Sequence, residues 1–374
     1  MRNTENHWFS TIVSLVLLAT LSSMIVALLS KNLQRDFNRY NKVATDEEKE
    51  EALEEYGWKL VHGDVFRPPP RPLALCVLLG TGAQLLATFV VCLALGILGI
   101  IQPMHRGTMV IAQLVCYSFF GAVNGYITGK FYRMMGGTEW RPAAIAASFG
   151  YSGLAFFVFF INSCMANSLD STMRVSFGVL VAILVLWLLI CTPLTIVSTW
   201  VGFYRPQIDF PTNVNTTPRA IPPAPWYTSA PASMVIAGIF PFVPCFFEVY
   251  DTLCTVWLDA YDPFYAFFFF IALCALFLST EMTVLLTYFQ LVREDYTWWW
   301  RSFATGGSTA VYIFGYVVYY HAQHLQAADH LASWFLYYGY MLVACLGLAC
   351  GAGFAGFLAS LSFTRTIFSS VKID

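Results

Sequence analysis

Two glutamates that interrupt long apolar stretches have the clearest chemical potential in this chain. Glu248 and Glu281 each lie within a run of apolar residues long enough to form a transmembrane helix. An ionised carboxylate near the bilayer centre costs about 2.5–3.5 kcal/mol on insertion scales, so it is expected to have a partner or a function. The pair could form the proton- or cation-responsive site of a transporter or channel. Alternatively, each could hydrogen-bond a neighbouring helix, with Asn124, Asn162 and Thr283 as candidate partners.

The C-terminal residues carry a second group of charges. The sequence ends in Lys372-Ile373-Asp374, which places an ammonium group, a side-chain carboxylate and a terminal carboxylate within three residues. A coat subunit with complementary charges could capture such a chain end. The alternative is an ordinary polar tail whose lysine only contributes to membrane topology.

Regularly spaced glycines form a third pattern. Gly121, Gly125 and Gly129 recur at every fourth residue, as do Gly347 and Gly351, so each set lies on one helix face. Small residues let helix backbones approach closely within a membrane. These faces therefore predict either packing inside the bundle or docking of transmembrane helices from other membrane proteins.

The remaining candidate groups favour no enzyme, metal site or cofactor. His321, His324 and His330 fall in the last predicted outer loop, where solvated histidines are expected. Histidine titrates near pH 6.5, so sensing of lumenal acidity or a metal shared by the first two is the alternative. The sequence contains no HExxH, GxSxG or Walker-type motif. Its ten cysteines include no CxxC pair and are interpreted as apolar packing residues.

Nine apolar stretches must position these residues. A helix needs about 20 mostly apolar residues to cross the hydrocarbon core. The predicted spans are Trp8–Ser30, Leu73–Ile101, Thr108–Phe131, Ala143–Ala166, Val175–Phe203, Ala232–Trp257, Phe264–Leu291, Ser302–Tyr320 and Ser333–Phe363. Only 11% of residues are charged and 58% are hydrophobic, whereas about 25% are charged in soluble domains. The predicted fold class is an all-α polytopic integral membrane protein, with membrane lipids around it.

The cationic residues predict its orientation. If the N-terminus is lumenal, 17 of the 20 Lys and Arg residues face the cytosol, and only Arg2, Arg106 and Arg174 do not. The positive-inside rule therefore predicts a lumenal N-terminus and a cytosolic C-terminus. A net charge of −2 gives no indication of a nucleic-acid partner.

Two long connections on the predicted cytosolic side, residues 31–72 and 204–231, divide the chain into regions. The second connection, residues 204–231, carries seven prolines and is predicted to form an extended strap. Three consecutive tryptophans, Trp298 to Trp300, are interpreted as anchors at the membrane–water interface. The predicted regions are residues 1–30 (short lumenal N-terminus and first helix), 31–72 (cytosolic loop with an acidic helix), 73–363 (eight-helix bundle with the strap) and 364–374 (cytosolic tail).

Several motifs together resemble one family. They are residues 57–69 (GWKLVHGDVFRPP), 218–222 (PRAIP) followed by Trp226-Tyr227, 290–291 (QL), 294–303 (EDYTWWWRSF) and the terminal VKID. In these features the chain resembles the nonaspanins, the transmembrane-9 superfamily. The family's signature loop corresponds here to His62, Gly63, Asp64, Val65, Phe66, Arg67 and Pro68. Nonaspanins carry a large lumenal domain before the first span, so the resemblance is to the membrane domain, and the lumenal domain is expected to be absent from this chain.

The resemblance implies a non-enzymatic role. A nonaspanin-like protein would reside in Golgi and endosomal membranes and help sort or localise other membrane proteins. Lys372 and Asp374 would then bind COPI coatomer, and the glycine faces would dock transmembrane helices of client proteins. The alternative class remains a proton- or ion-coupled transporter or channel that uses Glu248 and Glu281.

Overall fold

The computed structural model describes residues 4–41, 57–100, 106–168, 175–206, 209–223, 225–226, 229–257, 265–325 and 331–370. Within these ranges the chain is helical and contains no strand. The helices are α1 Thr4–Asn41, α2 Pro72–Ile97, α3 Arg106–Phe119, α4 Gly121–Met134, α5 Trp140–Ser168, α6 Phe177–Val185, α7 Thr192–Tyr204, α8 Ala230–Phe242, α9 Phe246–Trp257, α10 Tyr265–Val292, α11 Trp298–Gly307, α12 Thr309–His324 and α13 Leu331–Ser370. A π-helical segment, Leu186–Cys191, joins α6 to α7.

Seven helical segments of the described chain are long and apolar enough to cross a membrane, or eight if the bent pair α8–α9 is one span. The all-α membrane fold is thereby confirmed. The predicted span Ser302–Tyr320 is divided at Ser308 between α11 and α12 and is not among these segments. The count of nine spans and the sides of the two termini stay predictions.

The bend between α8 and α9 has a local cause. The two helices meet at an angle of 70°. Pro241 lies inside α8 and Pro244 lies in the break. Because proline has no backbone N–H and its ring clashes with the preceding turn, the pair interrupts the helical hydrogen bonds at this point.

The longest helix, α13, packs against five other helices. It packs against α2, α5, α10, α11 and α12, while α4 and α7 form the most intimate helix pair and α1 packs against α10. Large apolar side chains remain on the outer faces, for example Phe177 at 78% exposure and Val311 at 72%. Such a surface is stable when lipid covers it, as expected for a membrane bundle.

Candidate functional site

The signature loop folds as a series of tight turns at one end of the bundle. A 3-10 turn over Trp58–Val61 is followed by further turns up to Phe66. Trp58, Val61, Val65 and Phe66 are all buried. They pack against the adjoining ends of α10, α11 and α13. Partial burial in this loop lowers the pKa of Lys59, because desolvation disfavours the ammonium form.

Asp64 is the polar centre of this loop. The Arg67 guanidinium donates two hydrogen bonds to Asp64 Oδ1, at 3.0 Å from Nε and 2.5 Å from Nη2. Asp64 Oδ2 accepts a hydrogen bond from the backbone N–H of Arg219, at 3.2 Å. The Arg67 guanidinium also donates to the carbonyl of Asn215 at 2.8 Å, and Asn215 N–H donates to the carbonyl of Gly63 at 2.8 Å. The loop and the proline-rich strap are therefore joined by a buried, hydrogen-bonded carboxylate.

A third segment joins the same network. Arg219 forms an ion pair with Glu294, 2.9 Å from Nη2 to Oε2, at the turn between α10 and α11. Glu294 has a φ of 62°, a conformation that is uncommon for residues other than glycine. In this turn, Glu294 N–H donates to the carbonyl of Leu291 at 2.9 Å and Asp295 N–H donates to the carbonyl of Gln290 at 3.2 Å. Trp298 Nε1 donates to the carbonyl of Val65 at 2.8 Å. We call Asp64, Arg67, Arg219, Glu294 and Trp298 the loop cluster.

The interpretation of the three tryptophans as interfacial anchors is wrong for the first two. Trp298 is 0% exposed and Trp299 is 2% exposed, and their rings stack at 4.3 Å within the loop cluster's apolar surroundings. Trp300 is half-buried and donates from Nε1 to the carbonyl of Pro70 at 2.7 Å. The extended backbone before α2 supplies the acceptor, so this tryptophan connects α11 to the proline run.

The last turn of α13 is also held in this region. Ile367 and Phe368 are buried, and the Phe368 ring lies edge-on to Trp58 at 5.3 Å. The predicted coat-binding residues Lys372 and Asp374 lie outside the described residues, just beyond the end of α13. The loop, the strap, the α10–α11 turn and this helix end meet in one place. The predicted topology puts all four on the cytosolic side.

Glu248 lies near the start of α9 and is buried at 8% exposure. The buried hydroxyl of Ser14, on α1, lies beside it. Its Oε2 atom accepts no hydrogen bond from any described residue. A buried carboxylate oxygen without a partner is unfavourable, so this position can take an added donor or proton.

Glu281 lies on α10 and also faces α1. The Ser22 hydroxyl donates to Glu281 Oε1 at 2.9 Å, while Oε2 has no hydrogen-bond partner among the described residues. Ser14 and Ser22 are eight residues apart, which is about 12 Å along a helix. The two glutamates therefore contact α1 at separate levels and do not share one site.

The expected partners of the glutamates bond elsewhere. Asn124 Nδ2 donates to Gln84 Oε1 at 3.0 Å, and Gln84 Nε2 donates to the carbonyl of Tyr117 at 2.8 Å. Asn162 Nδ2 approaches the carbonyl of Leu336. The Thr283 hydroxyl donates its hydrogen bond within its own helix. The sequence analysis did not identify Gln84 as a candidate. The feature that could have identified it is that it carries the one amide side chain in the predicted second span.

The first set of glycines packs inside the bundle. A methyl group added to Gly121 would lie 2.8 Å from Thr195 Oγ1 of α7. At Gly125 it would overlap the Thr195 carbonyl, and at Gly129 it would overlap the Thr199 carbonyl. This face of α4 is already occupied by α7, so it is not open to a helix from another protein.

The glycines of α13 are also covered. A methyl group on Gly347 would lie 2.6 Å from the Tyr151 hydroxyl, and one on Gly351 would lie 3.4 Å from Leu86. These five glycines therefore pack inside the bundle. Any contact with a client helix must use other surfaces.

His321 is not a solvated loop residue. It lies in the last turn of α12, is buried, and is surrounded by the rings of Trp334, Tyr337 and Tyr338 at 4.9–5.3 Å. His324 is exposed on the same turn, and His330 lies outside the described residues. Among the residues that the structure describes, no three His, Cys, Asp or Glu side chains come together as metal ligands.

Comparison with known proteins identifies the family that the signature loop and strap suggested. A family model described as Endomembrane protein 70 matches residues 1–330. Over 374 residues the chain is 40% identical to transmembrane 9 superfamily member 9 of Arabidopsis thaliana. It is 37% identical to member 2 and 33% identical to member 4 of Homo sapiens.

These alignments cover 100% of this chain but only 58%, 56% and 58% of the three relatives, respectively. The chain therefore spans little more than half the length of the curated relatives it matches. No solved structure matches it. The nonaspanin resemblance is confirmed: the chain belongs to the Endomembrane protein 70 family, the transmembrane 9 superfamily of multi-pass endomembrane proteins.

Proposed function

We propose that this chain is the membrane portion of an endomembrane protein that helps sort or localise other membrane proteins. In this proposal, the chain resides in Golgi and endosomal membranes, and COPI coatomer binds Lys372 and Asp374. Family membership supports the endomembrane setting. The proposal involves no catalytic step.

The observation that carries the proposal is the anchoring of α13 at the loop cluster. Ile367 and Phe368 are buried there, within one turn of Ser370, the last residue of α13. Four residues follow Ser370, and an extended chain covers at most about 3.6 Å per residue, or about 14 Å in total. The helix end that precedes Lys372 and Asp374 is itself held at a defined point on the predicted cytosolic face, where a membrane-bound coat can bind the residues that follow it.

Client proteins would contact the exposed apolar faces of the bundle. The glycine faces are filled by α7, Tyr151 and Leu86, so they contribute to the rigidity of the bundle. Helices such as α6, with Phe177 exposed, present large apolar side chains to the lipid instead. Association through such faces would depend on van der Waals packing within the bilayer.

The first test is the steady-state location of the full chain with a tag inserted in residues 42–56, so that the C-terminus stays free. The double variant Lys372→Ala and Asp374→Ala should leave the Golgi for later compartments and lose coatomer in pull-downs. Arg365→Ala is the matched control, because it removes a nearby positive charge and leaves Lys372 and Asp374 unchanged. Identical distribution of the tail variant and the unaltered chain would reject coat-dependent retention.

A transporter or channel is the second candidate, and one arrangement favours it. The bent pair α8–α9 places Glu248 just after a break in a span, with one carboxylate oxygen unpartnered among the described residues. Broken helices line the solute sites of many transporters. Glu248→Gln or Glu281→Gln should then abolish proton or ion flux into vesicles that contain the purified chain. Flux that is absent from the unaltered protein, or unchanged in both variants, would reject this candidate.

A further inference from the structure

An apolar cavity adjoins the bend between α8 and α9. Its volume is about 370 Å³, and its walls come from α8, α9, α10, α12 and α13. This volume lies within the range of about 300–1,000 Å³ found for small-molecule sites. Representative lining side chains are Phe242, Ile271, Ile313, Val317 and Met341. The Pro241–Pro244 bend separates α9 from the line of α8 and so contributes to this space.

Two polar atoms at the cavity lack hydrogen-bond partners among the described residues. They are Oε2 of Glu248, which is 8% exposed, and Oγ1 of Thr309. The other hydroxyls of the lining are occupied, since Ser279 donates to the carbonyl of Gly306 and Thr252 donates to the carbonyl of Glu248. Unpaired buried polar atoms are costly, so rotation of either side chain toward an occupant that donates a hydrogen bond would be stabilising.

The charge of the lining limits the class of occupant. Among the described residues that form the cavity there is no Lys, Arg or His. Glu248 and Asp251, on the same face of α9, are both acidic. A phosphate or carboxylate head would find no cation and would be repelled. The occupant must therefore be neutral or cationic, with an apolar body.

The cavity reaches the outer surface of the bundle. Val256 and Leu348 both line it and are 45% and 51% exposed. In a membrane protein this surface faces lipid, so molecules dissolved in the bilayer can enter from the side. A free hydrated ion gains little from walls of this composition, whereas a hydrocarbon chain or ring system loses no hydrogen bonds on entry.

We propose that this cavity binds a membrane amphiphile with a hydrogen-bond-donating, non-anionic head, either a hydroxyl or an amine. The head lies at Glu248 and Thr309, and the apolar body lies along α10, α12 and α13. This binding is independent of coat recognition by the tail, which is at the other end of α13. Of the two glutamates considered for ion flux, Glu248 lines the cavity and Glu281 does not, so Glu281→Gln tests the flux candidate without altering the cavity.

The test uses the full chain in membranes and two photoreactive probes, a sterol and a long-chain aliphatic amine. Adducts are mapped by mass spectrometry after illumination. Glu248→Leu removes the acceptor, and Ala344→Phe fills the cavity from its exposed edge. The matched controls are Glu281→Leu, which removes a half-buried carboxylate that does not line the cavity, and Ala182→Phe, which adds the same ring to an exposed position on α6.

We expect at least one probe to label the lining of α9, α12 or α13. Labelling should fall about tenfold or more in Glu248→Leu, as loss of a hydrogen bond to a charged group predicts. It should also fall in Ala344→Phe, because the added ring occupies the volume that the probe needs. Both controls should label like the unaltered chain. Preference for the sterol assigns a hydroxyl head, and preference for the amine assigns an ammonium head.

Three results would overturn the proposal: no labelling of the lining by either probe, labelling unaffected by Ala344→Phe, or equal losses in the controls. Each variant is first checked for a single symmetrical peak in gel filtration. If Glu248→Leu fails that check, Ala344→Phe and its Ala182→Phe control still decide whether the cavity is the site.

Discussion

At the scale of single residues, two buried carboxylates have opposite surroundings. Asp64 accepts hydrogen bonds from the Arg67 side chain and from the backbone of Arg219. Glu248 has an oxygen without a partner among the described residues and lies at a cavity. A fully hydrogen-bonded carboxylate stabilises the structure around it, whereas an unpaired one is available to a ligand. We therefore assign Asp64 to the architecture, whereas Glu248 is the residue proposed above to bind a ligand.

Asp64→Asn tests the architectural role. An amide cannot accept from Arg67 and Arg219 as the carboxylate does, and hydrogen bonds to charged groups each contribute about 1.5–3 kcal/mol. We expect the free energy of unfolding to fall by about that amount, seen as a lower thermal midpoint in detergent. Asp209→Asn is the control, because this exposed strap residue uses its backbone carbonyl, not its carboxylate, to accept from Arg365. Equal midpoints for both variants would contradict the assignment.

At the scale of helices, glycine sets the distance between α4 and α7. Because the positions facing Thr195 and Thr199 have no side chain, backbone atoms of the two helices come into direct contact. Glycine at this interface is therefore a packing requirement. On another side of α4, Asn124 donates to Gln84 Oε1 of α2.

Gly125→Ala should destabilise the bundle, because its methyl group would overlap Ser198 and the Thr195 carbonyl. Overpacking of this kind costs about 1–3 kcal/mol. Gly315→Ala, in α12, is the control, since a methyl group there meets nothing within 4 Å. Alanine is favoured over glycine in a helix by up to about 1 kcal/mol. The thermal midpoint should therefore fall in Gly125→Ala and hold or rise in Gly315→Ala; the reverse order would refute the packing argument.

At the scale of the whole molecule, four segments that are distant in sequence meet at one end of the bundle. They are the signature loop, the strap, the α10–α11 turn and the end of α13, joined by Arg219, Glu294, Trp298 and Phe368. The positive-inside distribution predicts that this end faces the cytosol. The opposite end then carries Cys164, near the end of α5, which has a free and exposed thiol.

Cys164 therefore reports the orientation of the chain. In sealed microsomes, whose outer face is cytosolic, a membrane-impermeant maleimide should label Cys164 only after the membrane is permeabilised. Cys164→Ser is the control, and it should remove most of the labelling, since Cys164 is the exposed member of the ten free cysteines. Labelling of intact microsomes at Cys164 would reverse the predicted topology.

Part of the fold and of the candidate site could be predicted from the sequence, and part could not. The predicted span Ala143–Ala166 corresponds to α5, Trp140–Ser168, and the family motifs led to the correct family. The predicted partners of Glu248 and Glu281 were wrong. The residues that lie beside these glutamates are Ser14 and Ser22, which are more than 200 residues away along the chain. His321 was expected in a loop, but α12 extends through it and neighbouring aromatic side chains enclose it.

By itself the sequence determined that the chain is a helical membrane protein, because hydrophobicity and charge act on each segment separately in the bilayer. The tertiary structure decided which helix faces meet, and with it the burial of Trp298, the covering of Gly125 and the unpaired oxygen of Glu248. These outcomes depend on contacts between distant segments, and such contacts follow from the packing of the whole bundle.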